Sequence, residues 1–279
     1  MDEPTEQAAF WEERADAWSQ HADDMEPFAR QFGLPAIDRL DPSPGEHLAD
    51  IGCGPGITTI ELGARVAPDG SVVGVDVSRR MVDAAARRAG EADARNVRFL
   101  VADPEVEPIG SFDGIYSRFG VMFFDEPHTA FANIRRSLRP GGRFVAVVWA
   151  ELEANPWMFV PTLFGAGPLG AELELPGPAE PGPFSLADPE RTTALLESSG
   201  FDDVDVVRRE QAWTLGPQAT DTISQMLSVG PLGSAWSSAD EDARTAAVDA
   251  VLAGCEQYRH GDGWRLPATA LVVSATARG

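Results

Sequence analysis

The sequence predicts an α/β protein whose core is a mainly parallel sheet with helices on both faces. Apolar runs of strand length alternate with segments of helical pattern between residues 46 and 149. These runs are continuously apolar, which is typical of strands buried on both faces. The first run leads into the glycine-rich turn 52–56, and a helical pattern begins at Ile57. The pattern therefore predicts a strand, a tight turn and a helix at the centre of the fold.

The N-terminal segment is predicted to form two helices. Residues 5–20 have an amphipathic pattern with Thr5 as the N-cap, and residues 26–40 have a second such pattern. The turn-forming sequence at 41–45 ends the second helix. The remaining predicted helices are 57–66, 79–90, 127–138, 189–199, 219–229 and 239–256.

Each predicted strand has helix-forming sequence before or after it, as the strand at the central glycine turn does. Ser78, Asp125 and Asp188 precede three helices as predicted N-caps, and Gly200 is predicted to end a helix. The predicted strands are 46–51, 71–76, 96–101, 112–117, 143–149, 204–213 and 264–276.

Composition and pattern divide the chain into four parts. Residues 1–44 are predicted to be a helical lid, and 45–150 the core of the fold. Residues 151–187, rich in proline and glycine, are predicted to be an irregular or short-helical cap insertion. Residues 188–279 are expected to complete the core and to carry a helical insertion at 214–263. Both insertions leave the carboxyl ends of predicted strands, so we expect them over the site.

Composition excludes several functions. The formal net charge is −22, which opposes binding to nucleic acid and to anionic membranes, although solubility alone explains such a charge. All 22 basic residues are arginine, so neither a lysine Schiff base nor a P-loop lysine exists.

Two cysteines form no disulfide framework, and the four histidines lack metal-ligand spacing, so no metal is expected. The acidic N-terminus and the lack of a membrane-length apolar run predict a cytoplasmic protein.

The glycine turn and the acidic residue after the second predicted strand suggest a nucleotide-type ligand. A dinucleotide-binding motif requires a glycine at position 57, where Ile57 stands. Asp76 ends its strand at the same edge as the turn, where a carboxylate can accept both hydroxyls of a ribose; helix capping is the alternative. Asp103, after the third strand, is either an adenine contact or a turn residue.

The motifs together resemble those of the class I S-adenosylmethionine-dependent methyltransferases. Segment 117–124 resembles the branch that includes the ubiquinone/menaquinone-type and bacterial small-molecule methyltransferases, although the two insertions are larger than quinone methyltransferases usually carry. The resemblance implies a doubly wound, Rossmann-like sheet of seven strands, six parallel and the last antiparallel, with S-adenosylmethionine as donor and S-adenosylhomocysteine as product. The segments that match the motifs are 48–56, 74–76, 102–103, 112–115 and 138–142.

By position, the resemblance also implies a cofactor site. The glycines would lie along the methionine moiety, Asp76 would bind the ribose, and Met81 and Asp103 would flank the adenine. Arg118 is open to a second interpretation, in which it binds an acidic acceptor or neutralises Asp50 or another neighbour. The predicted cofactor-binding residues are Asp50, Gly52, Cys53, Gly54, Gly56, Asp76, Val77, Met81, Ala102, Asp103, Ser117, Arg118 and Phe119.

The acceptor is expected to be a small, apolar or aromatic molecule, because aromatic residues are frequent in the predicted lid and cap. Burial in the cap's own core is the alternative for each aromatic residue. A base is needed only if the acceptor loses a proton. Its candidates are His260, Tyr258 and His128, although each alone is better explained as a surface or capping residue. The predicted pocket residues are Trp18, Phe123, Trp149, Trp157, Phe164 and Trp236.

The leading hypothesis is a small-molecule methyltransferase of specialised metabolism that acts on oxygen, nitrogen or carbon. Methyl transfer is an in-line displacement, so positioning and desolvation should supply most of the catalysis. An NAD(P)-dependent oxidoreductase shares the predicted sheet and the acid after its second strand, but Ile57 argues against it. A non-catalytic S-adenosylmethionine-binding protein is the third hypothesis. The sequence leaves open the acceptor, the methylated atom and the oligomeric state, a homodimer included.

Overall fold

The computed structural model describes residues 5–173, 177 and 180–279. Residues 1–4 of the acidic N-terminus, and residues 174–176 and 178–179 of the predicted cap insertion, lie outside the described residues. The α-helices are α1 (Glu6–Leu40), α2 (Ile57–Val66), α3 (Arg79–Glu91), α4 (Pro127–Arg136), α5 (Pro156–Ala166), α6 (Pro189–Ser198), α7 (Thr220–Val229), α8 (Gly233–Ser238) and α9 (Glu241–Cys255). The strands are β1 (His47–Ile51), β2 (Ser71–Asp76), β3 (Val97–Val101), β4 (Phe112–Arg118), β5 (Leu138–Trp149), β6 (Phe201–Leu215), β7 (Arg259–His260) and β8 (Gly263–Ala277).

The sheet confirms the predicted α/β class. Within the part of the chain that the structure describes, the strand order is β3-β2-β1-β4-β5-β8-β6, and β7 pairs with β8 as a short hairpin that the sequence pattern did not predict. Strands β1 to β5 are parallel to one another, and β8 is antiparallel to β5, as expected for the last strand. The order reverses at β1, whose carboxyl end leads into the glycine turn.

The chain forms two compact units. The first comprises residues 1–149, 177–209 and 270–279 and contains the parallel strands with helices α1 to α4 and α6. The second comprises residues 150–176 and 210–269 and contains the other helices. In the second unit α5 packs tightly through Gly165, where a Cβ would lie 2.7 Å from Leu227 Cδ2. None of the helices in the described ranges is both long and apolar enough to cross a membrane.

The predicted break in the N-terminal segment is wrong, because α1 is one helix of 35 residues that includes Pro27 and Pro35. Each proline removes one backbone donor, a cost that tertiary packing offsets. Phe28, Phe32 and Leu40 are buried, and their burial holds the helix on the first unit. The predicted N-cap is confirmed, since the Thr5 side chain accepts a hydrogen bond from the amide of Ala8.

Two other helix termini are also as predicted, and one is not. Ser78 caps α3 and Asp188 caps α6. Asp125 does not cap α4, which has no side-chain cap at its own N-cap position. Instead the Glu105 carboxylate accepts hydrogen bonds from the amides of Asp125 and Glu126, at 2.7 and 2.8 Å. Glu105 is 20 positions from Asp125, so no local sequence pattern identifies it as the capping residue of α4.

Candidate functional site

The glycine turn lies at the carboxyl edge of the sheet, between the ends of β2 and β4. The amides of Gly52 and Cys53 donate to the carbonyl of Val75 at 2.8 and 3.1 Å. On the other side, the buried Ser117 hydroxyl donates to the carbonyl of Ile51 at 2.8 Å. These contacts fix the turn at the strand-order reversal, where open α/β sheets bind their ligands.

The three glycines of the turn are required for two different physical reasons. All three have positive φ, at 66°, 51° and 84° for Gly52, Gly54 and Gly56. A Cβ on Gly52 would lie 2.7 Å from Gly120 Cα, and one on Gly56 would lie 2.8 Å from Ala85 Cβ. A Cβ on Gly54 would meet no atom within 4 Å. Gly52 and Gly56 therefore allow close packing inside the protein, whereas Gly54 presents its backbone to open space that a ligand can enter.

The carboxylate of Asp76 is fixed by the turn and by the start of α3. One oxygen accepts from the amide of Gly54 and the other from the amide of Ser78, both at 2.9 Å. Burial raises the pKa of Asp76, while these backbone donors oppose the rise. The helix cap itself is the hydroxyl of Ser78, so capping of α3 does not require Asp76. Each carboxylate oxygen retains a lone pair that a pair of ligand hydroxyls can use.

Asp50 lies beneath the turn and is only 1% exposed. Its carboxyl accepts a hydrogen bond of 2.7 Å from Thr59, at the start of the following helix. Burial raises the pKa of Asp50 to about 7, although Thr59 and Arg118 oppose the rise. The neighbouring Cys53 thiol is also buried, and burial together with the charge of Asp76 raises its pKa well above the usual range. This thiol is therefore protonated at neutral pH and does not act as a nucleophile.

We expect the Asp50 carboxyl to make a contribution to stability that is lost as the pH rises from about 4 to 7. In the unfolded chain the Asp50 carboxyl ionises near pH 4, whereas in the fold its pKa is about 7. The folded state thus binds the extra proton within this window, so the free energy of unfolding decreases with pH there and levels off above it. Chemical denaturation at several pH values should show a shallower slope for Asp50→Asn than for the wild type. Identical slopes would contradict the assignment.

The ends of β2, β3 and β4 bring the other predicted cofactor residues to the same edge. The amide of Ala102 donates to the carbonyl of Asp76 at 3.1 Å, which places residues 102–103 beside Val77. Asp103 itself accepts from the amide of Glu105, as expected for a turn residue. The Met81 sulfur lies 3.7 Å from the Ser19 hydroxyl of α1.

Arg118 is paired with an acid from α1. Its guanidinium donates to both carboxylate oxygens of Glu26, at 2.9 and 2.6 Å, and both side chains are mostly buried. Burial opposes the charge of Arg118, but the Glu26 carboxylate raises its pKa overall. The nearby Tyr116 hydroxyl donates to the carbonyl of Gly33 at 3.2 Å. In this structure Arg118 therefore neutralises a neighbour, with Glu26 rather than Asp50 as its hydrogen-bonded partner. Its binding of the cofactor or of an acidic acceptor stays a prediction.

An aromatic cluster follows β4 and β5. Phe119 has a φ of 63°, which is strained for a bulky side chain, and such strain is common at functional sites. Its ring stacks on Trp149 with 3.9 Å between centroids and 10° between planes. Phe32 of α1 packs edge-on against both rings. Trp149 is thus a buried member of this cluster.

The N-terminal half of α1 contacts the segments around the glycine turn. The Ser78 hydroxyl and the amide of Arg80 both donate to the Glu12 carboxylate, at 2.6 and 3.2 Å. Trp11 packs edge-on against Phe123, which follows β4, with 4.8 Å between centroids. Trp18 packs in turn against Trp11 at 6.1 Å.

The remaining candidates lie elsewhere. His128 is exposed in the first turn of α4. In the second unit, His260 is exposed in the β7–β8 hairpin and Tyr258 is partly buried. Burial raises the pKa of Tyr258.

Three predicted pocket residues also belong to the second unit. Trp157 is buried there against Trp213, at 5.3 Å. Phe164 packs on Gly254 but is 38% exposed, and Trp236 lies under the guanidinium of Arg244.

Glu12, Trp11 and Glu26 are contacts that sequence reasoning did not select. Trp11 and Trp18 are two helical turns apart, a spacing that could have indicated a shared aromatic face. Glu12 and Glu26 leave no such signal, because their partners are 66 and 92 residues away.

The chain matches known families over this same region. Residues 48–142 match the family model described as methyltransferase domain. A nocamycin O-methyltransferase of Saccharothrix syringae is 30% identical over 278 residues, which cover 90% of this chain and 91% of that protein. The aklanonic acid methyltransferase DauC of a Streptomyces species is 31% identical over 139 residues, which cover 49% of this chain and 63% of that protein.

Solved structures show the same fold. Phosphoethanolamine N-methyltransferase 2 of Haemonchus contortus, in complex with phosphomonomethylethanolamine and S-adenosylhomocysteine, aligns with a TM-score of 0.52 at 19% identity. That alignment covers 88% of this chain and 52% of the other. Several further curated relatives, like the Streptomyces one, are matched over only about a third to two thirds of their own length.

Proposed function

Because the chain belongs to the class I S-adenosylmethionine-dependent methyltransferases, as its match along the nocamycin O-methyltransferase shows, we propose that it methylates a small aromatic or otherwise apolar acceptor, at oxygen in the first instance. The observation that supports the use of S-adenosylmethionine in this proposal is the pair formed by Gly54 and Asp76. Gly54 presents bare backbone to open space, and its amide holds one oxygen of the Asp76 carboxylate.

The residues at this edge fit S-adenosylmethionine, the cofactor of the family. Asp76 would accept the ribose hydroxyls, since its lone pairs are held in place by two backbone amides. Gly54 would allow the methionine moiety to approach the turn, because no atom lies within 4 Å of its missing Cβ. Met81 and Asp103 are proposed to flank the adenine. When bound, the cofactor supplies a methyl group on a positively charged sulfur, which leaves as the thioether S-adenosylhomocysteine.

An acceptor of aromatic character is supported by two observations. Trp11 and Phe123 form an aromatic contact just beyond β4, beside the turn. Two of the similar proteins are named as an O-methyltransferase of nocamycin and a methyltransferase of aklanonic acid. We infer that this chain acts in the same kind of specialised metabolism. The predicted contribution of the second unit to the acceptor pocket stays a prediction.

The protein's own part in the reaction is positioning. Acceptor and donor held in line and shielded from water can gain about 7–11 kcal/mol relative to free reactants. A base is needed only for an acceptor that must lose its proton during the reaction. His128, Tyr258 and His260 remain candidates for that role, and exchange of each for alanine or phenylalanine would test them once an acceptor is known.

The first experiment is a calorimetric titration of the wild type and of Asp76→Asn. We expect the wild type to bind S-adenosylmethionine and S-adenosylhomocysteine and to be silent toward NAD and NADP. Asp76→Asn should weaken binding at least tenfold, because an amide cannot accept two hydroxyls and two backbone amides at once. Asp103→Asn serves as the matched control at the next strand end, with a smaller expected effect. Binding of NAD or NADP would overturn the proposal in favour of an oxidoreductase.

A further inference from the structure

The N-terminal half of α1 presents two different faces, and the first points to α3. Four residues at helical spacing contact α3 or the residue before it. Asp16 pairs with Arg80 at 2.9 Å, and Asp23 pairs with Arg88 at 2.7 Å. Glu12 and Ser19 complete the set through Ser78 and Met81. Because α3 follows β2, this face lies on the side where Asp76 stands.

The second face carries two tryptophans. Trp11 and Trp18 are seven residues, or about two turns, apart and so project on the same side of the helix. Trp11 contacts Phe123, which follows β4, so this face is turned toward β4 and away from α3. Ala15, between them in sequence, is fully buried. The aromatic face therefore contacts the segment after β4, whereas the first face contacts α3, which follows Asp76 and β2.

Trp18 carries an orphaned donor on this face. Its indole nitrogen is shielded from solvent and has no hydrogen-bond partner. Among the described residues, every other buried side-chain nitrogen or oxygen has a partner. Buried donors in folded proteins are nearly always paired, because an unpaired one forfeits its hydrogen bond to water. Glu12 and Asp16 of α1 face α3 instead, where they already have partners.

We propose that the indole N–H of Trp18 is a specificity-determining donor that binds a carbonyl or phenol oxygen of the methyl acceptor. The acceptor class is then a planar aromatic molecule with at least one such oxygen, held against the aromatic face of Trp11 and Phe123. An aromatic compound without that oxygen leaves the indole unpaired in the complex and binds less tightly. This inference rests on the proposed function and adds to it the polar group that the acceptor must carry.

The test follows the indole signals of ¹⁵N-labelled full-length protein by NMR. The Trp18 signal is assigned from triple-resonance spectra of a ¹³C,¹⁵N-labelled sample of the wild type. Trp18→Phe, which keeps an aromatic ring but lacks the donor, checks that assignment. The protein is first saturated with S-adenosylhomocysteine and then titrated with 2-acetyl-1-naphthol, which has a carbonyl and a phenol oxygen. A second titration uses 2-ethylnaphthalene, which matches its ring system without oxygen. Trp11→Phe is the matched control for loss of a neighbouring indole.

We expect the Trp18 signal to move downfield with the oxygenated compound and not with the hydrocarbon. Trp18→Phe should weaken binding of the oxygenated compound roughly five- to tenfold, the usual worth of one neutral hydrogen bond. Its affinity for 2-ethylnaphthalene should fall by a smaller factor, because only the ring contact differs there, and its binding of S-adenosylhomocysteine checks that the variant is folded. Trp11→Phe should preserve the preference for the oxygenated compound.

Three results would overturn the inference. The first is a downfield shift caused by S-adenosylhomocysteine alone, which would assign the donor to the cofactor. The second is rapid exchange of the Trp18 proton with water in the free protein, which does not depend on Trp18→Phe being able to fold. The third is failure of the saturated protein to bind 2-acetyl-1-naphthol, or equal affinity of wild type and Trp18→Phe for it. Failure to bind S-adenosylhomocysteine at all would instead overturn the proposed function.

Discussion

Replacement of Gly52 by alanine should lower the free energy of unfolding by roughly 2–5 kcal/mol and weaken binding of S-adenosylmethionine at least tenfold. The left-handed backbone at this position costs an L-residue about 1–2 kcal/mol. The new Cβ would also lie 2.7 Å from Gly120 Cα, and relief of such overpacking typically costs about 1–3 kcal/mol. Because neither neighbour has a side chain that can turn aside, the turn itself must move. Urea denaturation and calorimetry measure the two effects.

Gly54→Ala is the matched control for this prediction. Its φ is also positive, at 51°, but its Cβ would meet no atom within 4 Å. Only the backbone cost of about 1–2 kcal/mol is then expected for stability. Binding should still weaken, because the added methyl group enters the space offered to the ligand. Equal stability of the two variants would show that Gly52 and Gly120 are not in close contact.

The second large effect is expected for Arg118→Met. Removal of one partner of a buried ion pair leaves the other charge unpaired, which costs about 3–5 kcal/mol. Both side chains are less than a fifth exposed, and both guanidinium bonds go to the same carboxylate. The free energy of unfolding from urea denaturation should fall by that amount, with α1 losing its protection from hydrogen exchange first.

A double variant separates loss of the pair from loss of the residue. Glu26→Leu combined with Arg118→Met should recover much of the stability, since apolar replacements of buried pairs are often neutral. Arg88→Ala removes a surface pair with Asp23 and should cost no more than about 1 kcal/mol. A double variant as unstable as Arg118→Met alone would mean that the arginine acts through other contacts.

The fold was predictable because its evidence is local. Continuous apolar strands, the glycine turn, and the caps Thr5, Ser78 and Asp188 each lie within a few residues of the element they define. The cofactor edge followed from topology, since the carboxyl ends of neighbouring parallel strands meet. The joined helix α1 was missed because Pro27 and Pro35 normally end helices, and burial against the first unit outweighed that tendency.

The contacts that complete the site were not predictable in the same way. Glu26 and Arg118 are 92 residues apart, and no periodicity or motif links them. Glu105 caps a helix that begins 22 positions later, where Asp125 is the local candidate. Charge pairing across such distances depends on where the backbone brings two side chains, and many arginines and acids in this chain compete for each pairing.

The position of β6 affects how the chain must fold during synthesis. Within the described sheet its neighbour is β8, which begins at Gly263, whereas β6 ends at Leu215. At about 5–20 residues per second, a ribosome needs several seconds to supply that partner after β6 has been made. During this interval β6 is an unpaired strand that could join another nascent chain. The charged residues within its segment 202–210, three aspartates, two arginines and one glutamate, are of the kind that keeps unpaired strands from aggregating.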